Sequence, residues 1–238
     1  MNSTYYSKAR EVFSEYQAMG AGELPANPLS NLQIRLFRWG NQFKGLEGTI
    51  ACTLGQGEEL GELVESVTGS LDEETSFTPE KASVWERNLL SGQKGAADDT
   101  VDAIADILVY ATQMCTNLRL DFGVLLQAGE ALETELVKKG VHDPASKDLA
   151  SIGWSLLGLT AAVGRIHHAT LKNKQKIRGY DDEVKYRTEV ADSTVHVGRF
   201  CTRICKALGL NVYEEYIRIS EKVMKRDWTK NAVTGGQV

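Results

Sequence analysis

Residues 54–64 read LGQGEELGELV, and residues 104–115 read IADILVYATQMC. In both stretches apolar residues recur every three or four positions, which places them on one face of an α-helix. Similar stripes run through most of the chain, for example at Ile152, Leu156, Leu159, Val163 and Ile166. No stretch alternates convincingly as a half-buried strand does, and no Asn-Gly hairpin signal occurs. The sequence therefore predicts an all-α fold, a helical bundle.

The same periodicity predicts eight helices separated by short connections, apart from one long segment. We expect that segment, residues 69–95, to be irregular with a short helix around Trp85, because it carries Gly69, Asp72, Pro79 and Gly92. The predicted helices span residues 4–19, 29–43, 48–68, 96–119, 123–139, 147–172, 183–207 and 211–230.

The two deciding stretches each have a second version later in the chain. Residues 157–167 read LGLTAAVGRIH and match the first stretch at a glycine, Gly164 with Gly61, and at the surrounding apolar positions. Residues 190–201 read VADSTVHVGRFC and match the other stretch at an Ala-Asp pair and at a cysteine nine positions later. Because both matches occur in the same order, we expect two tandem copies of one helical unit, a pseudo-dimer. The predicted parts are an N-terminal helical arm (1–28), a unit with metal-binding acids (29–143) and a degenerate unit with basic residues (144–238).

Composition excludes several classes of protein. With 238 residues and a formal net charge of -5, the chain has no overall basic field to hold a nucleic acid. No apolar run approaches the roughly 20 residues that a membrane span needs, and the N-terminus does not resemble a signal peptide. Four cysteines without a CxxC pair are typical of reduced, buried thiols. We therefore expect a cytoplasmic protein that acts on a small molecule, with no nucleic-acid or membrane partner.

Carboxylates are concentrated in the first unit. An EExxE cluster places Glu59 and Glu62 on one helix face, with Glu58 beside them. A later helix carries a second line of acids at helical spacing: Asp99, Asp102 and Asp106. Two helices that present carboxylates at one level can hold Mg²⁺, which prefers oxygen ligands and substrate phosphates. A solvated acidic face has the same spacing, so the pattern alone leaves both interpretations open.

A family resemblance favours the metal site. LGQGEELGELVESV (54–67) followed by DAIADILVYATQMC (102–115) resembles the MazG-like and all-α NTP pyrophosphatase families. IHHATLKNKQKIRGYDD (166–182) and VMKRDWTKN (223–231) resemble the same families, so the likeness covers about residues 29–232. The resemblance implies that a metal-activated water attacks a nucleoside triphosphate between its α- and β-phosphates, releasing the monophosphate and pyrophosphate.

The resemblance also assigns roles to the acids. It makes Glu59, Glu62 and Asp106 ligands of Mg²⁺, which Mn²⁺ could replace, and makes Glu58 and Glu59 the catalytic acids. Glu58 would be a further ligand or a nearby base. The family's remaining acid falls at Ala103, so the preceding Asp102 would serve instead. Whether Asp99 or Asp102 is the fourth ligand stays open.

The second unit lacks the acids and carries cations. Ala161, Ala162 and Arg165 stand where the first unit has its three glutamates. We expect Arg165 to pair with Glu189 and Asp192, which leaves no catalytic site in this unit. Basic residues follow its first helix and line its last. If acids and cations of one site come from opposite units, a single composite site survives. The predicted substrate-binding residues are Lys172, Arg178, Arg226, Lys230 and Asn231, with Trp39 a candidate for stacking on the base.

Several alternatives stay open at this stage. A dUTP or dCTP diphosphatase of the dimeric all-α type shares the acid arrangement, and a non-catalytic nucleotide-binding or interaction protein could descend from such an enzyme. The tryptophans Trp39, Trp154 and Trp228 are more typical of core anchors than of base-stacking platforms. A homodimer of the pseudo-dimer is a further option.

Overall fold

The computed structural model describes residues 4–17, 25–40, 48–68, 96–141 and 149–226. Over these ranges the chain forms eight α-helices and no strand, which confirms the all-α fold class. In chain order the helices are α1 (Thr4–Gln17), α2 (Pro28–Gly40), α3 (Thr49–Thr68), α4 (Ala96–Asn117), α5 (Phe122–Lys138), α6 (Leu149–Gln175), α7 (Glu183–Ala207) and α8 (Val212–Val223).

Most predicted helix ends agree with the structure to within three residues, and the main difference is at α8. This helix was expected to continue to residue 230, but it ends at Val223, and Met224 to Arg226 form a turn. The N–H of Met224 still donates to the Ser220 carbonyl at 3.0 Å, so the chain leaves the helix gradually. The expected short helix at Trp85, and Trp228, lie outside the described residues.

The turns that follow α4 and α7 have the same hydrogen bonds. After α4 the N–H of Leu120 donates to the Cys115 carbonyl, and after α7 the N–H of Leu210 donates to the Cys205 carbonyl, both at 2.8 Å. In each case a side-chain oxygen then caps the next helix by accepting a backbone N–H. Each turn contains one residue with left-handed backbone, Arg119 at φ 57° and Gly209 at φ 74°.

The tandem repeat stays a prediction, but these turns favour a different register for it. Cys115 corresponds in structure to Cys205, whereas the sequence comparison matched it with Cys201, one helical turn earlier. A second pair agrees with this register, because a Cβ at Gly55 would meet the Tyr110 ring and one at Gly158 would meet the Phe200 ring. In the structural register, His196 rather than Asp192 stands where the first half has Asp106, and Asp192 stands where it has Asp102.

Consecutive helices exchange partners across the bundle. α5 follows α4 directly but packs mainly along α7, while α8 follows α7 and packs along α4. On α8 the buried Tyr216 lies 5.4 Å from the Phe122 ring, and its hydroxyl is 2.6 Å from Thr112 Oγ1 on α4. The last helix of the chain is therefore fixed against the helix that carries the aspartates.

One continuous apolar core joins the helices. It includes Leu36 of α2, Leu63 of α3, Leu108 of α4, Leu126 of α5 and Val197 of α7, all inaccessible to solvent. All four cysteines are buried free thiols, as the sequence predicted. In the described ranges, none of the helices is both long enough and apolar enough to cross a membrane.

Candidate active site

The EExxE residues lie on α3, which packs along α4. Helical spacing turns Glu59 inward, where it is half-buried, while Glu58 and Glu62 stay exposed at the edge of the pair. On α4 the side chains of Asp102 and Asp106 are also half-buried, whereas Asp99 is exposed one turn earlier. The structure thus places Glu59 and Asp106 between the two helices, with other acids around them.

Glu59 has the clearest electrostatic signature of this group. Burial, followed by repulsion from Asp106, Glu62 and Glu58, raises the pKa of its carboxyl from 4.5 to about 8. Arg226 opposes this shift, but its attraction is weaker than the burial and the repulsion. A shift this large is typical of functional sites, because a carboxylate that served only for solubility would face water.

Asp106 is in a similar position on the facing helix. Burial raises the pKa of its carboxyl from 3.8 to about 6, and the neighbouring Asp102 and Glu62 also raise it. Arg226 and Lys222 both lower the pKa of Asp106, so these two cations lie within electrostatic range. The chain therefore brings acids from α3 and α4 together with cations from the end of α8.

The cations of α8 form a row at four-residue spacing: Arg218, Lys222 and Arg226. The Nζ of Lys222 lies 2.9 Å from Asp102 Oδ2, and the Arg218 guanidinium lies 3.8 Å from Asp102 Oδ1. Of this row, only Arg226 belongs to the binding set predicted from sequence. The spacing itself could have indicated Arg218 and Lys222, because residues four apart share one helix face.

Trp39 lies under the end of this cation row. The tryptophan is buried, with 9% of its surface exposed, and its indole N–H donates to the backbone carbonyl of Arg226 at 3.4 Å. This contact links α2 to the chain just after α8. The structure thus supports a packing role for Trp39, and stacking on a nucleotide base stays a prediction.

The other predicted substrate contacts are not brought to the acids. Gly57 of α3 lies against His167 of α6, and Tyr186 is hydrogen-bonded to both Thr49 and Thr170, so α3 and α6 run antiparallel. The basic end of α6 consequently lies beside the beginning of α3, away from the second half of α3, which carries the acids. There Lys172 donates to Gln175 at 3.2 Å, and Arg178 is exposed; Lys230 and Asn231 lie outside the described residues.

The donor set suits Mg²⁺ in type but is not assembled as a coordination site. Within the described part of the chain, no three Asp, Glu, His or Cys side chains converge closely enough to hold a metal ion. However, all donors between α3 and α4 are carboxylate oxygens, the ligands that Mg²⁺ prefers. Burial and the neighbouring carboxylates raise the pKa values of Glu59 and Asp106, so ionising both acids is costly without a cation between them. A divalent cation would relieve this repulsion, so the residues fit such an ion.

The equivalent position in the second half has different chemistry. Arg165 stands in place of Glu62, and its guanidinium contacts Glu189 at 2.9 Å. His196 stands in place of Asp106, and burial followed by repulsion from Arg199 and Arg165 lowers its pKa. Asp192 is half-buried, with one carboxylate oxygen lacking a hydrogen-bond partner. A cation here would meet an arginine and a histidine, which makes this half a poor metal site.

The double substitution Glu189→Gln with Asp192→Asn is expected to leave turnover and Mg²⁺ stoichiometry unchanged. The ion pair between Arg165 and Glu189 is lost, but the Arg165 side chain is 42% exposed, so the free energy of unfolding should change by only about 1 kcal/mol. This is a smaller effect than a buried pair would give. Enzyme assays and denaturant unfolding of the double variant test both points. A loss of one bound Mg²⁺ per chain would show that this half is a metal site after all.

No family model, curated protein or solved structure is significantly similar to this chain. The MazG-like resemblance noted from the motifs therefore stays a prediction. The functional argument depends on the geometry and electrostatics of the residues themselves.

Proposed function

We propose that this protein is a Mg²⁺-dependent nucleoside triphosphate pyrophosphohydrolase. The observation that carries the proposal is the meeting of buried carboxylates, Glu59 and Asp106, with the cations Lys222 and Arg226. A polyphosphate bound through a divalent cation needs both kinds of group, acids for the cation and basic side chains for the phosphates. Burial and the repulsion among these carboxylates together raise the pKa of Glu59, as expected where acids are gathered to receive a cation.

The acids of α3 and α4 would hold the ion. Glu59, Glu62 and Asp106 are the proposed ligands. Asp102 becomes a fourth ligand if the ion replaces Lys222 as its partner. When bound, Mg²⁺ neutralises phosphate charge and lowers the pKa of a coordinated water. Mn²⁺ has similar ligand preferences and is expected to substitute.

The remaining steps are carried by the chain's own side chains. Glu58 is exposed next to Glu59 on α3, and it is the proposed acceptor of the proton of the attacking water. The oxygen of that water forms a bond to the α-phosphorus, and the bond from this phosphorus to the bridging oxygen breaks. Lys222 and Arg226 would stabilise the charge that accumulates on the leaving pyrophosphate. The products are the nucleoside monophosphate and pyrophosphate.

The exchange of helices explains how one site could use both halves of a duplicated chain. We infer a tandem pseudo-dimer in which α8 of the second half completes the acid pair of the first. In the structural register, the positions of Arg218, Lys222 and Arg226 correspond to Ala128, Leu132 and Leu136 on α5. The reciprocal site therefore has neither the acids on α6 nor the cations on α5. Because the acids and the cations are missing from the same site, the other site keeps both.

One observation favours a second candidate function, a nucleotide-binding protein without catalysis. Lys222 already neutralises Asp102 at 2.9 Å, as expected for a site that has replaced a metal by an internal cation. The pKa values of Glu59 and Asp106 stay raised despite the attraction of Arg226, which argues for catalysis. A dUTP or dCTP diphosphatase shares the same acids and differs from the main proposal only in substrate.

Pyrophosphate release over all common ribo- and deoxyribonucleoside triphosphates, with Mg²⁺ and with Mn²⁺, tests the proposal. Metal-dependent formation of monophosphate and pyrophosphate is expected. Orthophosphate as the first product would contradict it, since that result means cleavage at the γ-phosphate. Nucleotide binding without turnover of any substrate would support the non-catalytic alternative, and turnover restricted to dUTP or dCTP would support the diphosphatase.

A further inference from the structure

Burial on α3 and α6 does not follow polarity at two positions. Trp154 of α6 is 70% exposed, so the core position that the sequence suggested for it is wrong. Gln56 of α3, in contrast, is a polar residue with no surface accessible to solvent. Neither the oxygen nor the nitrogen of its side-chain amide has a hydrogen-bond partner among the described residues. A buried polar group in this state destabilises a folded chain, so its presence indicates a role other than stability.

A second buried glutamine shows how the fold pairs an amide that serves only the core. The side-chain nitrogen of Gln33 on α2 donates to Thr116 Oγ1 at 3.0 Å and to the Leu120 carbonyl at 2.8 Å. Its oxygen accepts the backbone N–H of Phe122 at 2.8 Å. Both polar atoms of Gln33 are therefore used, whereas those of Gln56 are not.

Gln56 lies one helical turn before Glu59. Residues three apart are neighbours on a helix surface, with Cβ atoms roughly 5–6 Å apart. Long side chains in a helix also lean toward its N-terminus, so the Glu59 side chain lies over Gly55 and Gln56. Tyr110 of α4 agrees with this direction, because its ring lies against Gly55. Burial, followed by repulsion from Glu59, raises the pKa of Tyr110 to about 12, so the Glu59 carboxyl is close to that ring.

The second half of the chain has no amide at the equivalent position. Gly158 of α6 lies under an aromatic ring of the facing helix, as Gly55 of α3 does. The residue after each glycine is therefore equivalent, and in the second half it is Leu159. Leu159 is also wholly buried, and Ala162, three residues later, stands in place of Glu59. The fold thus accepts leucine at this position, and the amide occurs only in the half that has the acids.

We propose that Gln56 is a positioning residue for Glu59 in the cation-bound protein. The amide N–H of Gln56 donates to the Glu59 carboxylate and holds it in the orientation that binds the cation. Hydrogen bonds from neighbouring groups orient metal ligands in this way, and their loss weakens metal binding. The inference rests on the proposed function, because it gives Gln56 a role only when a divalent cation is bound.

Thermal unfolding without metal and calorimetric titration with Mg²⁺ alone, both on the full chain, test the proposal. Gln56→Leu introduces the residue that the second half has at this position. It should raise the thermal midpoint of the metal-free protein by roughly 3–6 °C, because it removes an unpaired buried amide. It should also weaken Mg²⁺ binding about tenfold to a hundredfold. Gln56→Met keeps the length of the side chain and should give the same two results.

Two variants are matched controls for these effects. Gln33→Leu removes a buried amide that is fully paired at the last turn of α4, so it should lower the thermal midpoint. Leu159→Gln places an unpaired amide in the half without the acids, so it should lower the midpoint as well. Both controls should keep the Mg²⁺ affinity within about twofold, because neither residue lies beside Glu59 on α3.

The two measurements decide the role of Gln56 separately. If neither Gln56→Leu nor Gln56→Met raises the midpoint, the proposal is overturned, since the amide then has a partner in the metal-free protein. If one variant packs poorly, the other decides. An Mg²⁺ affinity within twofold of that of the unaltered protein would overturn this inference alone. Absence of Mg²⁺ binding by the unaltered protein would overturn both this inference and the proposed function.

Discussion

Glu59→Gln is expected to reduce the rate of pyrophosphate release by at least about a thousandfold, roughly 4 kcal/mol in the activation free energy. The substitution removes the half-buried carboxyl group between α3 and α4 that would bind a divalent cation in its ionised form. Asp106→Asn should have an effect of the same order, because Asp106 faces the same space from α4. Steady-state assays at saturating Mg²⁺, with isothermal titration of the metal, measure both losses.

The pH dependence of the free energy of unfolding distinguishes a specific effect of Glu59→Gln from unfolding of the variant. The pKa of Glu59 is about 8 in the folded protein against a usual 4.5, so the unfolded chain loses this proton first as the pH rises. The folded state consequently loses stability between these two pH values and regains none above them. Glutamine cannot ionise, so Glu59→Gln should be more stable than the unaltered metal-free protein at pH 9. At pH 4 the two should differ little.

Mg²⁺ should reverse the order of stability between the unaltered protein and Glu59→Gln at high pH. A bound cation stabilises the ionised carboxylates, so added Mg²⁺ should raise the thermal midpoint at pH 8–9 and do so less as the pH falls. The Glu59→Gln variant should show little of this response. Near-normal turnover in either Glu59→Gln or Asp106→Asn would remove the metal assignment, and an unfolded variant would be recognised by its circular dichroism.

The helices of this protein could be predicted closely because each has an apolar stripe at helical spacing. The tandem repeat stays a prediction, and its sequence alignment differs from the register that the turns favour. Ala-Asp pairs at 105–106 and 191–192 suggested one alignment. The turn after each long helix instead makes Cys115 equivalent to Cys205. The turn is the stronger guide, since its left-handed residue and helix cap fix the backbone in three dimensions.

The acids of the candidate site could be predicted better than its cations. Glu59 and Asp106 lie on helices that follow each other in the chain, and the family resemblance paired them where helical spacing alone also allowed a solvated acidic face. Lys222 and Arg226 reach the same place only because α8 packs on α4 instead of on α7. Sequence periodicity shows which face of a helix is buried, but it contains no information about which helix covers it. Lys172 and Arg178 were therefore as plausible as Arg226 beforehand.

Because α8 packs on α4, Arg226→Ala and Lys222→Ala should cause the second large loss of catalytic efficiency. Each should lower kcat/KM about tenfold to a hundredfold, corresponding to about 1.5–3 kcal/mol for one charge-assisted contact to a phosphate. Arg226 is expected to affect kcat more strongly because it acts on both Glu59 and Asp106. Lys222 contacts Asp102 directly, so its removal should also change the apparent affinity for Mg²⁺.

Lys172→Ala and Arg178→Ala are the matched controls, since both remove a basic side chain at the other end of α3. Measured at one fixed salt concentration, these two variants should retain kcat/KM within about twofold, because an exposed charge at that distance is largely screened. Equal losses in all four variants would indicate a general electrostatic effect on substrate approach. Wild-type behaviour of both Arg226→Ala and Lys222→Ala would show that the phosphates are bound elsewhere.

Mixing variants decides whether the composite site lies within one chain. α4 and α8 of the same chain are in contact, so a chain with Asp106→Asn and a chain with Arg226→Ala should not restore each other's activity. Restoration to a substantial fraction of normal turnover would require α8 to be donated between chains. In that case the acids and cations would still belong to opposite halves, but the site would be shared by two molecules.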